Sequence, residues 1–78
     1  MKQEGWIVIK DKEVIAYALT DELAMKHIEH NIEGGMYGIA PLFCGEKHMA
    51  LVKCLKQNGI IELNPPISLD LFGKHKGE

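Results

Sequence analysis

Gly5-Trp6-Ile7-Val8-Ile9-Lys10, then Asp11-Lys12, then Glu13-Val14-Ile15-Ala16-Tyr17-Ala18 decides the fold. Two runs rich in β-branched and aromatic residues flank a two-residue turn, the pattern of a β-hairpin. Closing that turn sets an expected register. Lys10 meets Glu13, Ile9 meets Val14, Val8 meets Ile15, Ile7 meets Ala16 and Trp6 meets Tyr17. One face then carries Trp6, Val8, Ile15 and Tyr17. The other carries Ile7, Ile9, Val14, Ala16 and Ala18. Both faces are apolar, and a chain of 78 residues has little with which to cover them.

Downstream of the hairpin, Thr20-Asp21-Glu22 opens a helix, with Thr20 as its cap and two acids in the positive first turn. Leu23, Ala24, Met25, Ile28 and Ile32 form its apolar stripe, which runs to about Glu33. Gly34-Gly35 supplies the left-handed stop. Met36 to Phe43 reads as a third strand, with Pro41 suited to an edge. A second helix spans about Gly45 to Asn58 and is closed by Gly59. Ile60 to Leu63 is a short fourth strand, Asn64-Pro65-Pro66 a turn, and Ile67 to Phe72 alternates as a fifth strand. The expected fold is a small single-domain α+β (α/β-like) protein of order ββαβαβ. Its sheet is expected to be mixed, with four to five strands and two helices, because a strand–helix–strand crossover makes strands parallel. Residues 1–72 are expected to form one compact domain and 73–78 a flexible C-terminal tail.

Composition narrows the function. Nine lysines are scattered among eleven acids, net charge is −2, and there is no arginine. Phosphate-backbone binding needs clustered cations, and guanine readout favours arginine, so direct nucleic-acid binding is not expected. The polar start Met1-Lys2-Gln3-Glu4 does not resemble a signal peptide, and no apolar run reaches the length of a membrane span. Two cysteines do not make a disulfide framework, which suggests a cytoplasmic protein with free thiols.

Cys44 precedes the second helix, and His48 follows four residues later. On one continuous helix the two share a face, where a helix start and an imidazole would lower the thiol pKa. This defines the alternative function, a thiol-dependent enzyme or redox protein using Cys44 with His48. The same face carries Leu51, Val52 and Leu55, so a packed cysteine is the plainer expectation. Cys44 and Cys54 lie ten residues apart, about 15 Å along a helix, too far to share a zinc or a disulfide. His27 and His30 lie on a solvated helix flank. No metal and no cofactor are expected. Gly34-Gly35-x-x-Gly38 follows a helix and precedes a strand, the reverse of a phosphate loop.

Ser68-Leu69-Asp70-Leu71-Phe72 resembles the pentapeptide through which bacterial replication and repair proteins dock on the sliding clamp. The first position of that motif is glutamine, where this chain has Ser68; the other four match. The resemblance implies an accessory protein docking on a clamp through residues 68–72. The alternation of Ile67, Leu69 and Leu71 favours a strand. With no convincing catalytic set, the sequence points to a small non-catalytic interaction, regulatory or accessory protein. Its expected interface is the face carrying Trp6, Val8, Ile15 and Tyr17, and its expected partner is another protein or a second copy in a homodimer.

Overall fold

The computed structural model describes residues 2–30 and 34–70. Strands β1 (Lys2–Lys10), β2 (Glu13–Ala18), β3 (Tyr37–Cys44) and β4 (Ile60–Ser68) form one sheet in the order β3-β1-β2-β4. Helix α1 (Asp21–His30) joins β2 to β3. A 3-10 turn (Glu46–His48) and helix α2 (Met49–Asn58) join β3 to β4. This is the expected small α+β domain with two helices, and every neighbouring strand pair in it is antiparallel. The mixed sheet is therefore corrected. Both β2 and β3 run antiparallel to β1, so the α1 crossover does link parallel strands. β1 lies between them, and they never pair directly.

The hairpin turn forms as expected. Asp11 and Lys12 both adopt left-handed backbone, φ 49° and 67°, the geometry whose twist matches a two-residue hairpin. Asp11 also anchors the far side of the sheet. Its N–H donates to the Met36 carbonyl at 2.9 Å, and its Oδ1 accepts the Met36 N–H at 2.9 Å. Gly35 passes so close that a Cβ there would lie 2.7 Å from Asp11 Oδ2.

One residue changes the face assignment. Lys10↔Glu13 and Ile9↔Val14 pair as expected, but the next pair is Val8↔Ala16, followed by Ile7↔Tyr17 and Trp6↔Ala18. Ile15 is an extra residue, a β-bulge, and a one-residue slip sends every later side chain to the opposite face. Ile7, Val14 and Tyr17 now share a face with Leu42, Cys44, Val52 and Leu55. Val8, Ala16 and Ala18 share the other with Ala24 and Ile28. Each helix therefore covers its own face, giving helix, sheet and helix layers.

Helix ends follow local chemistry. Thr20 Oγ1 accepts the Leu23 N–H at 3.2 Å, the expected cap of α1. The expected continuation of α1 through Ile32 and Glu33 lies outside the described residues. α2 begins later than expected, at Met49, because Glu46–His48 winds as a 3-10 turn. Gly59, at φ 79°, ends α2 and donates its N–H to the Leu55 carbonyl at 2.7 Å.

α2 leaves the edge strand β3 and delivers the chain to the opposite edge, β4. Ten residues span about 15 Å, close to the width of four strands about 4.8 Å apart. The helix thus crosses the sheet at the end away from the hairpin turn. A Cβ on Gly5 would lie 2.9 Å from Leu55 Cδ2, so the missing side chain at position 5 lets α2 approach.

The fourth and fifth strands are one. β4 continues through Asn64-Pro65-Pro66 to Ser68, with a cis bond at Asn64-Pro65. Ala16↔Glu62 is followed by Val14↔Ile67, so β4 spends five residues where β2 spends two. The prolines form a wide bulge within an edge strand rather than a turn between two strands.

Candidate interaction surface

The four residues expected to form one open face do not stay together. Val8 is fully buried under α1, and Trp6 and Ile15 pack half-buried against the same cluster. Tyr17 lies on the opposite face beneath α2 and is 9% exposed. Burial pushes its phenol pKa up, and the neighbouring Cys44 adds to the shift. The bulge at Ile15 separates Tyr17 from Trp6, and each helix covers one of them.

Cys44 and His48 are also placed apart in environment. Cys44 ends β3 and packs in the core with Leu42, Val52 and Leu55, 5% exposed. Burial raises its thiol pKa, and the Glu4 carboxylate raises it further. Both effects hold the thiol protonated, the opposite of what a nucleophile needs. His48 is exposed and makes no side-chain cap to α2. Cys54 is exposed on α2, where its Sγ accepts the Asn58 amide at 3.4 Å. Among the described residues no three His, Cys, Asp or Glu side chains are grouped to hold a metal. Nor, among them, is any helix long and apolar enough to cross a membrane.

The C-terminal pentapeptide is divided. Ser68 pairs with Glu13 as the last residue of β4. Leu69 packs against the core cluster, and its N–H donates to the Lys12 carbonyl at 2.9 Å. The backbone turns helical at Leu69 and Asp70, so the alternating strand expected to reach Phe72 stops at Ser68. Leu71 and Phe72 lie outside the described residues. The first two motif positions are thus held by the sheet rather than presented as a free peptide.

On the α1 side, an open cleft of ≈ 540 Å³ is lined by Leu23, Lys26, His27, His30, Ile60 and Glu62. His27 Nε2 stands 3.9 Å from Glu62 Oε2, linking α1 to β4. His30 turns its Nδ1–H to the Lys26 carbonyl at 2.8 Å. The cleft is bounded by both signs of charge and is broad.

The exposed apolar residues gather elsewhere. Met36 (81% exposed), Phe43 (43%), Met49 (52%) and Met25 (48%) are the large hydrophobic side chains left to solvent among the described residues. Met36 immediately precedes β3, Phe43 lies on it, and Met49 begins the helix that follows it. Met25 projects about 100° from the buried Ala24 around α1. That is the flank away from Leu23, His27 and His30, which look toward β4. Met36 and Phe43 thus stand at the two ends of β3, and Met49 on the helix that leaves it. The strand itself, Tyr37-Gly38-Ile39-Ala40-Pro41-Leu42-Phe43-Cys44, contains no charged residue.

Edge strands are normally protected by charges, prolines, bulges or short length. β4 has Glu62, Asn64, Pro65, Pro66 and a wide bulge. β3 has eight residues and a single proline, Pro41, opposite Trp6. The sequence displays this neutrality openly. What it does not display is which strands lie at the edges, and Pro41 is the one local hint.

No protein-family model matches this chain, and no curated protein and no solved structure matches it.

Proposed function

We propose that this protein is a small non-catalytic interaction domain, of a regulatory or accessory kind, whose contact surface is the β3 edge. The observation that carries the reading is an uncharged edge strand with the exposed Met36 and Phe43 at its two ends. An edge strand offers main-chain hydrogen bonds along its length, and flanking apolar side chains add buried area on both faces. Methionine suits this role, since its flexible thioether adapts to a partner's shape. Val8 and Tyr17 are buried on opposite faces of the sheet, so the interaction role is read at the edge instead. The setting of Cys44 favours packing over thiolate chemistry, because both influences on its pKa oppose ionisation.

The test is site-specific photocrosslinking in the native host. A benzophenone side chain at position 36 or 43 should give a defined crosslinked species. The same group at Gln57, exposed on α2, should give none. Equal yields from all three positions, or none from positions 36 and 43, would contradict the reading. The mass of the crosslinked species identifies the partner.

A further inference from the structure

We draw no further inference here: the strongest candidate, the apolar groove at the hairpin end of the sheet lined by Ile9, Met36, Gly38, Ile39 and Leu69, carries nothing because nothing in the structure shows what covers it.

Discussion

Gly5→Ala places one methyl group where β1, the end of β2 and α2 converge. An ideal Cβ at this position lies 2.5 Å from the Ala18 carbonyl oxygen and 2.9 Å from Leu55 Cδ2. The leucine tip can rotate away. The carbonyl is backbone and cannot move alone. A normal carbon–oxygen contact is about 3.3 Å, so β1 and β2 must separate by about 0.8 Å at this point. Overpacking of this kind typically costs about 1–3 kcal/mol, and involvement of backbone puts this site at the upper end. Alanine recovers about 0.5–1 kcal/mol by restricting the unfolded chain, leaving a net loss of about 2 kcal/mol. For a domain of this size each kcal/mol moves the melting temperature by about 4–8 °C, so a drop of about 8–16 °C is expected. Gly45→Ala is the control, because an ideal Cβ there meets nothing within 4 Å and its φ of −100° suits any residue. Thermal melts followed by circular dichroism, at one fixed protein concentration, provide the comparison. A Gly5→Ala protein melting within about 2 °C of the control would refute the close approach of the Ala18 carbonyl to position 5.

Other substitutions test other parts of the structure. Lys12 holds φ 67° without being glycine, so Lys12→Gly should relieve left-handed strain and raise stability by about 0.5 kcal/mol in urea titrations; a destabilised variant would contradict the turn geometry. Truncation after Pro66 removes the Ile67↔Val14 and Ser68↔Glu13 pairs and uncovers the fully buried Val14. It should cost about 2–3 kcal/mol, whereas unchanged melting would mean that the end of β4 contributes nothing. Cys44 and Tyr17 both have raised pKa values in the fold. Their contribution is whole below the ordinary thiol and phenol values and is lost as pH rises through the raised folded values. Stability should therefore fall as pH rises above about 8.5, the ordinary thiol value, and fall less in Cys44→Ala; an equal fall in both proteins would remove Cys44 from the explanation.

Much of the architecture was legible because it is written in local chemistry. The hairpin turn, the Thr20 cap, the Gly59 stop and the edge preference of Pro41 each depend on a few adjacent residues. Features that depend on pairing between distant segments were not. A bulge at Ile15 has no local signature here, since isoleucine is an ordinary strand residue. Yet that single slip moves Tyr17 to the face opposite Trp6 and dissolves the interface expected from alternation. Asn64-Pro65-Pro66 carries turn residues, and only β2 alongside it explains why the chain continues as strand. The expected pairing of Cys44 with His48 assumed a helix continuous from Gly45. The 3-10 turn and the burial of Cys44 at the end of β3 separate them. Met36 and Phe43 stand at the two ends of one strand, and their shared setting is visible only when β3 is known to lie at the edge.

The most direct test of the account is the photocrosslink made in the native host by a benzophenone side chain at position 43, on β3. The account predicts a defined crosslinked species from that position and none from Gln57 on α2. Equal yields from the two positions, or no species from position 43, would contradict it.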